Sequence, residues 1–314
     1  MKNILLLASL FLAALTFFIE AQAGVILPAP EKLSSRVYAW IGPYGPPNKK
    51  NMGFRMNMGF VVGNKAVAVI DSGYTPAMAH EMLDYIKSVT TVPVRYVINT
   101  NSQPHRFFGN TVFRKAGASI LAHQTEVTRM KNSSAGFASG IERVLELKKD
   151  SVKLPALPDK IVTKEKRINL GGVIIHLVPM PANHTAGSLV VNVAEDKVIF
   201  AGDVLYGGRL LAITPISNTE TWLQSFDSLK KYGNATFVPG HGKPGKLVKF
   251  KKPTRDYLQL LYSHMSKALD NGVGLQDAME SLDQKAFSDL ENFKDLSGRN
   301  ASWAYLEREK AFFD

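Results

Sequence analysis

The chain contains no cysteine, and that absence excludes several classes of protein. Without thiols it forms no disulfide bond, uses no thiolate nucleophile and binds no metal ion through cysteine. Its two basic clusters, residues 148–166 and 243–252, lack the interleaved aromatic side chains of a nucleic-acid platform, so no nucleic-acid partner is expected. The net charge of +11 indicates instead a solvated surface that favours anionic ligands or acidic partners.

Long apolar runs are also scarce, and the clearest one lies at the start. Lys2 precedes an apolar run from Ile4 to Ile19, and Ala21-Gln22-Ala23 follows it. A charged start, an apolar run and an Ala-x-Ala site are typical of a secretory signal peptide. The alternative is a membrane anchor, but the run is shorter than the roughly 20 residues that a spanning helix needs. We therefore predict a signal peptide over residues 1–23, cleavage after Ala23, and a periplasmic or secreted mature chain with no transmembrane segment.

The rest of the chain shows no internal repeat, and strand patterns alternate with helical ones in both halves. Short β-branched runs predict strands, and Thr75-Pro76 predicts the start of a helix. The predicted strands include Asn57–Val62, Lys65–Ile70, Val94–Ile98, Val173–Pro179, Leu189–Val193, Lys197–Ala201 and Ala235–Val238. Ser151–Lys166, rich in Pro and Lys, is predicted to be an exposed connection. This pattern predicts an α/β fold with helices outside two central sheets, one domain over residues 24–245, and a helical extension over 246–314 packed on the same domain.

Four polar loops follow or join the predicted strands. They are Asn99–Asn110, Asn183–Ser188, Gly202-Asp203 and Pro239–Gly242. We expect the scaffold to bring these loops to one place, because each carries a His, Asp or Arg beside an apolar strand.

The order of these loops resembles the metallo-β-lactamase superfamily over residues 35–245. In that family the first loop reads Thr-His-x-His-x-Asp-His, and three later turns supply His, Asp and His. Here His184-Thr185-x-Gly187, Gly202-Asp203 and Pro239-Gly240-His241-Gly242 match in order and spacing. The Phe108-Gly109-Asn110 ending is similar to exported zinc-hydrolase-like proteins associated with quinoprotein oxidation systems. The resemblance implies a four-layer αββα sandwich and zinc ligands that activate water for hydrolysis.

The first loop departs from the family pattern at four positions. Asn101 and Gln103 stand where the first two His residues belong, His105 stands at the Asp position, and Arg106 replaces the last His. Amides are poor zinc ligands beside imidazole, so a two-metal site is not expected. The resemblance leaves at most one Zn²⁺, on His105, Asp203 and His241, or with His184 in the set, and a metal-free pocket is the alternative.

Arg106 decides much of this chemistry because a guanidinium stays protonated in proteins. At about 5 Å from a divalent ion and an effective dielectric of ~20, it meets roughly 6–7 kcal/mol of repulsion. The side chain must therefore turn away, pair with an anion, or take over the charge of a metal ion.

Three functions remain open. In the first, a metallohydrolase uses Asp203 and Arg106 in catalysis, with Arg106 holding an anionic substrate group or the developing oxyanion. In the second, a metal-free protein binds an anionic ligand through Asn101, Gln103 and Arg106. In the third, the chain is a structural partner of another exported protein. Structural or surface roles are expected for the other histidines, which are His80, His123, His176 and His264.

Overall fold

The computed structural model describes residues 26–313. The predicted signal peptide, residues 1–23, therefore lies outside the described residues. Within residues 26–313, none of the helices combines the length and the apolar character that crossing a membrane requires.

The first sheet is formed by the first half of the chain, with its strands in sequence order. The strands are β1 Glu31–Lys32, β2 Val37–Trp40, β3 Met58–Val62, β4 Val67–Ile70, β5 Val94–Ile98, β6 Ser119–His123 and β7 Lys160–Val162. The pairs from β1 to β4 are antiparallel, and those from β4 to β7 are parallel. The predicted hairpin is thus β3–β4, and the parallel half places the carboxyl ends of β4, β5 and β6 at one edge.

The second sheet comes from the later half, in the order β12-β11-β10-β9-β8. Its strands are β8 Lys166–Asn169, β9 Ile174–Met180, β10 Ser188–Val193, β11 Val198–Tyr206 and β12 Thr236–His241. Only β11 and β12 pair in parallel among these neighbours. That pair carries Asp203 and His241, so both side chains reach the same edge of the sheet.

The helices form the outer layers. They are α1 Pro76–Val89, α2 Pro104–Phe107, α3 Asn110–Lys115, α4 Gln124–Leu145, α5 Thr219–Ser228, α6 Tyr257–Asp270, α7 Leu275–Glu280 and α8 Phe293–Phe313. At the start of α1, the Thr75 hydroxyl accepts the Met78 amide at 3.2 Å and Pro76 takes the first turn, as predicted. At the C-terminal end of α1, Val89 is exposed.

Three apolar layers stack these elements. Ala68 and Ile70 of β4 face the second sheet and pack in one cluster with Val191 and Phe200, whereas Val69 packs on the helical side. Another cluster joins the outer face of the second sheet to α5. Burying one aliphatic side chain stabilises the folded state by about 1.5–3 kcal/mol. The apolar contacts between the layers therefore hold the sandwich together. The predicted four-layer αββα architecture is confirmed.

Two strands occur where the sequence predicts an exposed connection. β7 and the first residue of β8 lie within residues 151–166, and each strand buries one residue, Val162 and Ile168. Lys is depleted in strands but common on sheet edges, where it discourages pairing with other chains. The Lys-rich composition therefore marks edge strands here, and the prediction of a connection was wrong for these residues.

The helical region after residue 245 packs on the loop that follows β11. Tyr206, Leu210 and Leu211 share an apolar cluster with residues of α6 and α8. Asn300 of α8 is fully buried; it accepts the Ile213 amide at 2.8 Å and donates to the Leu211 carbonyl at 2.7 Å. α8 is therefore held to the loop by hydrogen bonds as well as by apolar contact.

Asn300→Ala should lower the free energy of unfolding by about 2–3 kcal/mol, because a buried N–H and a buried C=O lose their partner. Urea denaturation measures this loss. The control is Asn132→Ala, an exposed position on α4, which should change stability by less than about 0.5 kcal/mol. Equal effects in the two variants would contradict the role of the Asn300 amide.

Candidate functional site

The four predicted loops meet at one edge of the sandwich. Asp71 follows β4, the loop from Asn99 follows β5, and His184 lies in the loop between β9 and β10. Asp203 lies within β11, and His241 is the last residue of β12. Ligand sites in open parallel sheets lie outside the carboxyl ends of strands, so this edge is where chemistry is expected.

Arg106 is the most buried charge of the site and lies between two carboxylates. Its side chain is 1% exposed; Nη1 donates to Asp71 Oδ2 at 2.9 Å, and Nη2 donates to Asp203 Oδ1 at 2.6 Å. The remaining Nη hydrogens reach the carbonyl oxygens of Asn57 at 2.9 Å and Gly240 at 3.2 Å. Of the three outcomes predicted for this guanidinium, the structure shows pairing with anions of the protein itself.

Both carboxylates have further donors that fix their orientation. The Thr100 amide donates to Asp71 Oδ1 at 2.7 Å, and its hydroxyl donates to Asp71 Oδ2 at 2.8 Å. Asn101 Nδ2 donates to Asp203 Oδ2 at 2.7 Å. Burial works to raise the pKa of Asp203, but attraction to the Arg106 guanidinium outweighs it and holds the pKa well below its usual range. Asp203 is therefore an anion at neutral pH.

The expected contact between Arg106 and a ligand is not what this geometry provides. Arg106 and Asn101 are absent from the cavity wall, and their donors face Asp203 instead. Gln103 does line the cavity, and its Nε2 lies 3.1 Å from His184 Nε2. A substrate-binding role for Arg106 stays a prediction, but the side chain is placed to organise carboxylates.

Three of the four predicted metal ligands come together. One ligand atom each from His105, Asp203 and His241 lies within 4.8 Å of the other two. His184 lines the same cavity without joining this group, and its Nδ1 donates to the Ala212 carbonyl at 2.8 Å. The predicted ligands thus divide into a cluster of three and one separate histidine.

The histidines of the cluster are prepared as ligands. His241 Nδ1 lies 2.8 Å from the Arg55 carbonyl, which only accepts, so Nδ1 carries the proton and Nε2 keeps its lone pair. His105 Nε2 is buried and has no hydrogen-bond partner within residues 26–313. Burial lowers the pKa of both rings well below the ordinary value, and Arg106 beside His105 and Arg209 beside His241 add to it. Neutral imidazole is the form that binds metal.

The chemistry of this donor set fits Zn²⁺. Two imidazole nitrogens and a carboxylate are ligands that Zn²⁺ prefers, and each Asp203 oxygen accepts one hydrogen bond while having two lone pairs. A second ion would depend on Asn101 and Gln103, whose amides already contact Asp203 and His184.

Buried polar side chains outside the predicted set hold the loops in place. The Glu126 carboxylate accepts the Ser102 amide at 2.6 Å and the Gly187 amide at 2.9 Å, which joins the first loop to the His184 loop. Asn57 Nδ2 donates to the carbonyl oxygens of Pro239 and Gly242 on either side of His241. Sequence reasoning missed both residues, since their neighbours in sequence carry no motif.

A cavity of about 340 Å³ is lined by His105 and His241 of the cluster, whereas Asp203 lies behind its wall. Its polar wall includes Tyr206, Arg209 and Arg55, none of which the sequence analysis singled out. Tyr206 stacks on His241 with ring centroids 5.2 Å apart, and burial raises the pKa of its hydroxyl, which stays protonated. No local sequence motif marks these three residues, because their burial is a property of the tertiary structure.

Arg106→Met should lower the free energy of unfolding of the metal-free protein by about 3–5 kcal/mol, because it leaves Asp71 and Asp203 buried without their cation. Guanidinium denaturation of the chelator-treated protein measures this free energy of unfolding. Arg167→Met is the control, since Arg167 is an exposed side chain on β8 and should change stability by less than about 0.5 kcal/mol. Wild-type stability in Arg106→Met would contradict the ion-pair account.

Solved metallo-β-lactamases share this architecture. The metallo-β-lactamase from Pontibacter korlensis has a TM-score of 0.60 and 20% identity, covering 73% of this chain and 98% of that one. The DIM-1 metallo-β-lactamase has a TM-score of 0.58 and 16% identity, covering 74% of this chain and 98% of that one. At these identities the likeness shows the fold alone.

Similarity in sequence extends to a shorter stretch of an enzyme. Over 91 residues the chain is 30% identical to acyl-coenzyme A thioesterase MBLAC2 of Gallus gallus. The match covers 28% of this chain and 32% of that protein, so the chain spans about a third of the relative it matches.

The family model of the metallo-β-lactamase superfamily matches residues 53–241, more than half of the chain, and this range carries the ion pair, the three clustered ligands and every strand from β3 to β12. The predicted resemblance is confirmed. The chain departs from the family's first-loop pattern at Asn101, Gln103, His105 and Arg106, so it is a divergent member. The chain belongs to the metallo-β-lactamase superfamily.

Proposed function

We propose that the chain is a hydrolase that uses one divalent metal ion and acts on a polar or anionic substrate bound in the cavity. The observation that carries the proposal is the cluster of His105, Asp203 and His241, in which one ligand atom of each lies within 4.8 Å of the others, together with the buried His105 Nε2, which has no partner within the described residues. A buried polar atom left without a hydrogen bond costs about 1–3 kcal/mol, and a metal ion would remove that cost.

In this proposal His105, Asp203 and His241 hold the ion, and hydrogen bonds already orient two of the three. The Arg55 carbonyl orients His241, and Arg106 with Asn101 orients Asp203. A bound Zn²⁺ would supply a water of lowered pKa and polarise the scissile bond. The protonated Tyr206 hydroxyl lines the same cavity, where it can donate to an oxyanion that develops on the substrate.

A metal-free binding protein is the second candidate, and one contact favours it. Arg106 Nη2 donates to Asp203 Oδ1 at 2.6 Å, so the carboxylate already has a cation. In this alternative the guanidinium does the electrostatic work of the ion, and the cavity binds a ligand without changing it.

Zinc content separates the two candidates. After dialysis against Zn²⁺ and removal of free metal, the wild-type chain should retain about one ion, the number that a single three-ligand site holds. His105→Ala and His241→Ala should each weaken binding by more than the roughly 10–100-fold typical of losing a supporting residue. His80→Ala is the control, an exposed histidine on α1 that should leave the zinc content unchanged.

Retention below about 0.1 ion per chain, far from the single ion of a three-ligand site, would reject the hydrolase and favour the binding protein. The zinc-loaded protein should also hydrolyse at least one member of a panel of anionic esters, acyl thioesters and β-lactams, and a chelator should stop the reaction. Thioesters and lactams are included because the relatives named above are a thioesterase and β-lactamases.

We also propose that the protein is exported, on the strength of the predicted signal peptide. Expression of the whole gene in a Gram-negative host should yield a periplasmic protein whose N-terminus is Gly24, because a signal peptidase cleaves after an Ala-x-Ala site. N-terminal sequencing of the periplasmic fraction gives the answer. A chain that keeps Met1 and stays in the cytoplasm would contradict export.

A further inference from the structure

We propose that Arg209 and Arg55 form an oxyanion-binding subsite in the wall of the cavity, which recognises a carboxylate or phosphate group of a small ligand. The subsite names the substrate class of the proposed hydrolase, and to that extent it rests on the proposed function. Anion binding itself needs no metal ion, so it can be tested separately.

Arg209 is a buried cation without a partner. The residue is 3% exposed and lies in the loop after β11, where its backbone bridges Glu291. Its Nε and Nη1 are buried and have no hydrogen bond to any atom of residues 26–313. The side chain also has no ion pair with a carboxylate in that part of the chain.

Arg55 is a second guanidinium in the same wall and is also incompletely paired. Its Nε is buried without a partner among the described residues. Burial lowers the pKa of Arg55 to about 10, and the nearby charge of Arg209 adds to the effect. Both side chains are still cations at neutral pH, so the wall holds two like charges close together.

The protein compensates these charges only in part. The guanidinium carbon of Arg209 lies 5.9 Å from the centre of the Tyr206 ring, and such a cation–π contact contributes about 0.5–2 kcal/mol. Removing an ion from water costs several kcal/mol after relaxation, so the contact does not offset the cost. Asp203 is a nearby anion, but Arg106 and Asn101 hold its two oxygens. An anion in the cavity would supply the missing partner.

The shape and composition of the cavity fit a small oxyanion-bearing molecule. A volume of about 340 Å³ is at the small end of ligand pockets. Two guanidinium groups present N–H pairs that suit planar carboxylate and tetrahedral phosphate alike. On the outer wall Asp295 and Arg299, four residues apart on α8, carry opposite charges and leave the excess positive charge with Arg55 and Arg209.

The test uses chelator-treated full-length mature protein at low ionic strength, titrated by calorimetry with inorganic phosphate in one arm and succinate in the other. Wild type should bind at least one of the two anions, and the arm that binds identifies the group. Arg209→Gln and Arg55→Gln should each weaken that binding about 10-fold or more, the scale of a charged hydrogen bond. Arg167→Gln removes one exposed positive charge and should leave the affinity within about 2-fold, since exposed charges are screened.

A thermal melt distinguishes ligand binding from a structural role. Because Arg209 is a buried charge with no partner, Arg209→Gln should melt at or above the wild-type temperature while losing the rise that the bound anion gives wild type. Arg209→Lys keeps the charge without the planar fork and should bind more weakly than wild type. No saturable binding of either anion, or unchanged affinity in both Gln variants, would overturn the subsite. Loss of folding in Arg209→Gln together with wild-type affinity in Arg55→Gln would also overturn it.

The outcomes separate this subsite from the proposed hydrolase. If the chain retains no zinc but binds an anion through Arg209, the subsite stands and the hydrolase falls. If the zinc-loaded enzyme hydrolyses an anionic substrate with the same KM in wild type, Arg209→Gln and Arg55→Gln, the hydrolase stands and the subsite falls.

Discussion

The guanidinium of Arg106 lies between two carboxylates that belong to different sheets. Asp71 follows β4 of the first sheet, and Asp203 lies in β11 of the second, so a single buried cation ties the two sheets together at the site. Its Nη atoms also donate to the Asn57 carbonyl beside β3 and to the Gly240 carbonyl in β12. Removing it would leave two buried carboxyl groups without their cation, and the orientation of Asp203 depends on it directly.

The chemistry of the site depends on the ion pairs that Arg106 forms with Asp71 and Asp203. A histidine at this position would be a metal ligand in the family pattern, whereas Arg106 adds a charge that repels any divalent ion by roughly 6–7 kcal/mol at ~5 Å and an effective dielectric of ~20. Its pairing with Asp71 and Asp203 offsets part of that repulsion. Asn101 completes the change, because its amide donates to the other Asp203 oxygen. What remains is His105, Asp203 and His241, the donor set that we propose for one ion. The excess positive charge of the neighbouring wall, at Arg55 and Arg209, suits an anionic ligand.

The sequence predicted the sandwich well because its signals are local and repeated. The continuous apolar run of β4, the cap at Thr75 and the order of the later turns can each be recognised from a few neighbouring residues. β7 and β8 were missed because their composition is that of an exposed loop, and pairing with β6 and β9 makes them strands. At the site, repulsion between Arg106 and a divalent ion left three predicted arrangements of its side chain, which were turning away, pairing with an anion and replacing the charge of the ion. The choice among them depended on the distance to Asp71, which no local pattern contains. Arg55 and Arg209 were missed for the same reason, since their burial is a tertiary property.

The central claim is that one metal ion binds beside an undisturbed Arg106 ion pair, and a crystal structure of the zinc-loaded protein tests it most directly. Anomalous scattering recorded at the zinc edge should show one peak at about 2.0–2.2 Å from ligand atoms of His105, Asp203 and His241. Arg106 should still contact Asp71 and Asp203 in the same crystal. Two zinc peaks, or one peak with Arg106 displaced from Asp203, would contradict the account.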